Sequence, residues 1–261
     1  MSRPDPGGAR GRFRRVRAES TAAWHSFFRR RTAVFFTFLF PALLVLIFGA
    51  LIETQSADGG LFAEPAEFYI AGYVATVVLF TPLSRVGSEV ARHRENNRFE
   101  KLATTPLSRA EWLFAHTAVN VVVIGGASLL ILAMVVGLTG AGLPRSPSVL
   151  LLIPFVAFTS ALFCGVGAVL GRIADSRDGA IAASNGTAFP LLFLSEAFVS
   201  GEMFPAWILP ILERSPVSYF ARGVRAVTAA PTGSWLPELS VLLGLAVVSF
   251  AVGAYAIPRT D

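Results

Sequence analysis

Few residues in this sequence are able to do covalent or proton-transfer chemistry: three histidines, one cysteine and a scatter of hydroxyls among 261 residues. A zinc-dependent hydrolase needs two imidazoles four apart on one helical face with a glutamate beside the first, and none of His25, His93 and His116 stands in that pattern. Cys164 has no second cysteine with which to form an intramolecular disulfide or a thiolate metal cluster. A serine hydrolase would have to join His116 to Ser128 or Ser160, but serines in apolar helices usually bond a carbonyl one turn back. His116 and Asn120 lie four apart, and read instead as a pair that bonds between helices, worth about 1 kcal/mol in lipid. No GxxxxGK[ST] loop is present to cradle a nucleotide phosphate. The residues themselves therefore point away from catalysis in this chain and from a cofactor or metal held by it.

The elements that position these groups are apolar. Hydrophobic residues make up 54% of the chain and charged ones 15%, and the charges are unevenly spread. Between Glu111 and Arg172 lie 60 residues with one formal charge, Arg145. A helix crossing the ~30 Å hydrocarbon layer takes about 20 residues, so six crossings leave about 140 residues for everything else. Six apolar segments predict spans at about 32–52, 67–86, 112–138, 148–171, 179–200 and 239–257. They are long continuous runs rather than alternating ten-residue stretches, which predicts an all-α polytopic membrane protein and excludes a barrel. Pro41 interrupts the first run, and Gly167 and Gly171 stand four apart near the end of the fourth, a spacing that lets helices approach closely.

Basic residues settle the expected orientation. The tail before the first span, the second and fourth connections and the last residues together hold 18 lysines and arginines, whereas the alternate connections hold four. The positive-inside rule then places both termini in the cytoplasm. The first outer connection carries Glu53, Asp58, Glu64 and Glu67 and reads as an acidic solvent loop. The net charge of +5 follows the flanks of the apolar runs, which favours anionic lipid over nucleic acid as a partner. Residues 1–15 read as a disordered basic tail. Residues 16–31 read as an interfacial amphipathic helix, with Val16, Ser20, Trp24, Phe27 and Phe28 along one side and arginines at its edge.

Two polar regions remain. Residues 87–110 form a cytoplasmic connection whose ARHRENNRFEKLA core predicts a charged helix with a small apolar side at Phe99, Leu102 and Ala103, stopped by Thr105 and Pro106. Such a helix suits a contact with a moving soluble partner, and composition alone leaves an ordinary solvated loop equally open. The connection before the last span is too apolar for a loop yet broken at Gly201, Pro205, Pro210 and Pro216. Short re-entrant helices in the outer leaflet, with Trp207 and Trp235 at aromatic-belt depth, account for it. The predicted span cores carry no Asp, Glu, Lys or Arg, so energy for any transport must come from outside the lipid.

These motifs resemble the ABC-2 type permeases, a family of exporter subunits with drug-resistance, polysaccharide and lipo-oligosaccharide members. The family pattern RExGTxExLxxTPLSR stands here as Arg94, Glu95, Asn96, Asn97, Arg98, Phe99, Glu100, Lys101, Leu102, Ala103, Thr104, Thr105, Pro106, Leu107, Ser108 and Arg109, departing at Asn97 and Arg98. A second pattern appears as Gly201, Phe204 and Pro205, followed by Pro216, Tyr219 and Arg225. The resemblance covers nearly the whole chain. It implies an ABC-2 transmembrane domain over residues 32–257. It further implies that Arg94, Glu95, Phe99, Glu100, Leu102, Thr105 and Pro106 couple to an ATPase, and that the second group builds the re-entrant segment. Pro41, Asn185 and Thr187 become candidate pathway neighbours. Implied partners are two copies of an ABC ATPase, which bind the ATP and Mg, and a second permease copy or related permease. The expected cargo is a lipid, a glycolipid or a hydrophobic drug-like molecule. A non-transporting membrane scaffold is the main alternative, with an intramembrane hydrolase behind it.

Overall fold

The computed structural model describes residues 8–51, 64–144, 146–229 and 234–258. The expectations for residues 1–7, Glu53, Asp58, Arg145 and Arg259 lie outside the described residues. Those described are helical or irregular, with no strand among them. Ten α-helices follow in order: α1 (Ala9–Phe28), α2 (Arg31–Leu44), α3 (Ala66–Glu95), α4 (Arg98–Ala103), α5 (Arg109–Thr139), α6 (Leu152–Ile173), α7 (Arg177–Phe193), α8 (Leu209–Glu213), α9 (Pro216–Thr228) and α10 (Leu236–Ala256). Among the described residues, five segments are long and apolar enough to cross a membrane: Arg31–Phe48, Ala66–Glu95, Arg109–Thr139, Pro147–Ile173 and Leu236–Ala256.

The expected first, third, fourth and sixth segments each coincide with one of these to within a few residues. The fifth differs. In place of the single span the sequence predicts over 179–200, α7 stops at Phe193 after 17 residues, about 25 Å of helix, and residues 194–200 leave the helical path. The second connection differs too. The helix predicted over residues 91–103 is split, residues 87–95 being the last turns of α3, a 30-residue helix about 45 Å long, and residues 98–103 the separate α4. The helix at the N-terminus also begins earlier than residue 16, since Ala9 to Arg15 belong to α1 and not to a disordered tail.

Local chemistry explains the boundaries. Ser108 accepts from Glu111 N while Glu111 accepts from Ser108 N, a reciprocal cap that starts α5. Gly140, at φ 69°, ends it. Ser176 accepts from Gly179 N and starts α7. Pro41 removes one backbone donor from α2, and the helix widens to π-type spacing over Val45–Leu51, one turn later.

Helix α3 is the axis, packing on α5, α6, α7 and α9, and α6 packs in turn on α10. The approach of α3 and α6 is set by glycine. A Cβ on Gly167 would lie 2.7 Å from Leu83 O, and one on Gly171 would lie 2.2 Å from Gly87 O, so the two backbones touch. Gly165 meets Ser249 and Gly253 of α10 in the same way. By contrast α2 and α10 leave long apolar faces uncovered, including Phe35, Phe36 and Leu39 on the former and Val247, Val248 and Val252 on the latter. In hydrocarbon such faces cost nothing.

Candidate functional site

At one end of α3 the chain turns through a left-handed residue, Asn97 at φ 51°, into the short α4. Phe99 is the anchor of α4. It is 4% exposed, with its ring 5.2 Å from that of His93 and 5.7 Å from that of Trp112. Leu102 is half-buried, and Glu100, Lys101, Thr105 and Pro106 are exposed beyond it. Thr105 Oγ1 donates to Leu102 O at 2.7 Å, which closes the turn after α4.

Arg94 and Glu95 face elsewhere. Arg94 Nη1 donates to Arg172 O at 2.8 Å and Ala174 O at 2.9 Å, capping the carbonyl end of α6. Glu95 Oε1 accepts from Arg177 N at 2.7 Å, at the amide end of α7. The seven residues grouped by sequence therefore divide. Two clamp the base of α3 to the α6–α7 turn, one is buried, and the rest form a projecting tip held rigidly on that base.

Asn97 explains one departure from the family pattern, where glycine is usual. A left-handed residue costs an ordinary side chain roughly 1–2 kcal/mol, less for asparagine and nothing for glycine. Asn97→Gly is expected to keep or slightly raise the melting temperature, and Asn97→Val to lower it. Equal melting curves for the two would show that the turn does not depend on this conformation.

Helix α1 lies against the same end through polar contacts that the sequence did not disclose. Arg15 Nη2 donates to Glu111 at 2.6 Å, Glu19 meets His116 Nε2 at 3.2 Å, and Arg30 meets Glu89 at 3.0 Å. Arg85 of α3 donates to Ala23 O at 3.1 Å and to Asn120 Oδ1 at 3.2 Å, with its guanidinium 4.6 Å from the Phe27 ring centre. Glu89 is 6% exposed and is also paired with Arg92. His116 and Asn120 thus do bond across helices, to α1 and α3 respectively. His116 is engaged by Glu19, and Ser128 Oγ donates to Ile124 O at 2.8 Å, the back-bond expected of a packing serine. The apolar side of α1 also splits, with Phe27 buried in the bundle and Trp24 and Phe28 exposed, their rings 4.7 Å apart.

A second constellation lies at the opposite end of α3, where the chain leaves α7. Arg225 of α9 donates to Glu196 O, to Ala197 O at 3.0 Å and to Phe68 O at 3.3 Å, and its guanidinium sits 3.5 Å from the Phe68 ring centre. Ser218 Oγ accepts from Glu196 N at 3.1 Å, and Arg222 pairs with the Glu196 carboxylate at 3.3 Å. Burial pulls the Arg225 guanidinium down to about 10, which still leaves it charged at neutral pH. In the non-helical run after α7 the backbone of Glu196 and Ala197 is therefore bonded by α9.

Gly201 starts a single 3-10 turn against the Glu196 carboxylate, Phe204 is half-buried, and Pro205 is exposed. Pro216 occupies the first turn of α9, and the Tyr219 ring lies 4.8 Å from the Arg222 guanidinium. Of the proposed pathway neighbours, Pro41 is buried on α2 and Asn185 is half-buried on α7. Thr187 donates to Ala183 O at 2.8 Å. α2 packs on α1, α3 and α5, and α7 on α3 and α6, so these residues share no principal contact within one chain.

Comparison with known proteins agrees with this architecture. A family model described as ABC-2 type transporter matches residues 15–228. A daunorubicin resistance ABC transporter permease protein from Streptomyces coeruleorubidus is 27% identical over 206 residues, covering 76% of this chain and 69% of the relative.

Proposed function

The chain belongs to the ABC-2 type transporter family, and from that premise we propose that it is the permease half of an ATP-driven exporter. Membership makes it a multi-pass membrane protein whose work is done with an ATPase. Our finer reading is a pair of permease chains, identical or related, joined to two ATPase subunits that bind ATP and Mg. It has six crossings, with α7 as the short fifth, both termini in the cytoplasm, α1 at the interface, and α8 and α9 as re-entrant helices. The cargo in this reading is a lipid, a glycolipid or a hydrophobic drug-like molecule. The relative's name, which speaks of resistance to daunorubicin, favours the last of these.

One observation carries the reading: the exposed tip from Glu100 to Pro106 stands on a base locked into three helices through Phe99, Arg94 and Glu95. A push on the tip is transmitted to α3, α6 and α7 together, because packed helices move as units rather than deforming. No bond to cargo is made or broken in this mechanism. Reconstituted complex carrying Glu100→Ala or Leu102→Asp is expected to lose most permease-stimulated ATP hydrolysis while the permease remains folded. Full stimulation in both variants, or failure of any ABC ATPase to co-purify with the wild-type chain, would count against the assignment.

A further inference from the structure

A cavity of about 890 Å3 lies between α1, the end of α3 and α4. Arg29, Arg30, Arg92, Arg98 and Lys101 line it against the carboxylates of Glu19 and Glu89. Both carboxylates are already engaged, Glu89 by Arg30 and Arg92 and Glu19 by His116. The charged side-chain groups of Arg29, Arg98 and Lys101 have no hydrogen-bonding or ion-pair partner among the described residues, and Arg92 Nε is buried without an acceptor. Positive charge from the α1–α2 turn, the end of α3 and α4 thus faces one concave space.

We propose that this cavity binds a phosphate group, carried by an anionic phospholipid headgroup. A phosphodiester offers charged acceptors that can meet several guanidinium and ammonium donors at once. A lipid is the favoured carrier because the cavity sits where α1 turns into the apolar α2 at Arg31. Exposed Trp24 and Phe28 on α1 and exposed Phe35 and Phe36 on α2 flank that turn, the amphipathic pattern of an interface helix. The volume suits a headgroup, and acyl chains would run along the uncovered face of α2. The proposal rests on the membrane-permease reading only for the depth of α1, and needs neither cargo nor ATPase.

The test titrates the detergent-solubilised full chain with dihexanoyl phosphatidylglycerol, dihexanoyl phosphatidylcholine and glycerol 3-phosphate, following binding by thermophoresis. Phosphatidylglycerol is expected to bind at least tenfold tighter than phosphatidylcholine. The combined change Arg29→Gln, Arg98→Gln and Lys101→Gln should erase the difference, the corresponding lysine replacements at 29 and 98 should retain it, and Arg214→Gln, remote from the cavity, should leave it unchanged. Glycerol 3-phosphate competing with equal affinity would support the phosphate site and assign it to a soluble ligand. Equal binding of the two lipids overturns the proposal. So does undiminished phosphatidylglycerol binding by the triple glutamine variant, and if that variant also loses a co-purifying ATPase, the cations serve a protein contact. Because the permease alone is read, failure here leaves the transport assignment standing.

Discussion

Gly171→Val is expected to prevent the chain from accumulating as a folded membrane protein. Its Cβ would lie 2.2 Å from Gly87 O and 2.9 Å from Val90 Cβ, and the first of these is backbone that cannot rotate away. Relief requires α3 and α6 to separate along their whole shared face, including the neighbouring approach of Gly167 to Leu83 O. Overpacking of an ordinary core costs about 1–3 kcal/mol, and a backbone collision between the two central helices belongs at or above the upper end. Gly186→Val supplies the control, since a Cβ there meets nothing within 4 Å. The measurement is the monodisperse yield in detergent together with the melting temperature, and near-wild-type values for Gly171→Val would refute the close α3–α6 crossing.

The same glycines show how the sequence informs and where it stops. Gly167 and Gly171 are visible as a pair at helical spacing, but their partners, Leu83 and Gly87, are recognisable only once α3 and α6 are side by side. The long uncharged runs were legible because lipid permits little besides helix. The end of α7 was not. Residues 194–200 are mostly apolar, and where they leave the helix Ser218 and Arg225, more than 20 residues later, bond the backbone of Glu196 and Ala197. Polarity misled in the other direction at residues 87–95, where the charged helix predicted from Ala91 is in fact the continuation of α3, with Glu89, Arg92 and His93 on it. Glu89 is paired with Arg92 and His93 on the same helix and with Arg30 in the α1–α2 turn, an arrangement no local pattern reveals. The run from Arg94 to Pro106 illustrates a third limit, since one motif serves two purposes. Its first two residues hold the α6–α7 turn, and its later ones project outward.

Arg225→Met is expected to release the segment after α7. Methionine keeps much of the apolar stem but leaves the carbonyls of Glu196, Ala197 and Phe68 without their shared donor. A hydrogen bond to a charged group contributes about 1.5–3 kcal/mol, so losing the three together should cost about 3 kcal/mol or more even after partial rearrangement. Lysine is a discriminating second change. Its ammonium carries the charge but lacks the planar fork that reaches Phe68 on α3 and the 196–197 backbone simultaneously, so Arg225→Lys should recover only part of the loss. Limited proteolysis and labelling of cysteines placed at Ser200 read the segment directly: accelerated modification in Arg225→Met, intermediate in Arg225→Lys and slow in the parent. Equal rates in all three would show that α9 does not hold this break in the helix. The effect on transport should follow the same order, because residues 194–200 lie against α3 through Gly72, where a Cβ would come 2.6 Å from Ala197 O. A segment freed there no longer reports the position of α3 to α9, and motion delivered at the α4 tip would be lost before it reached the opposite end of the bundle.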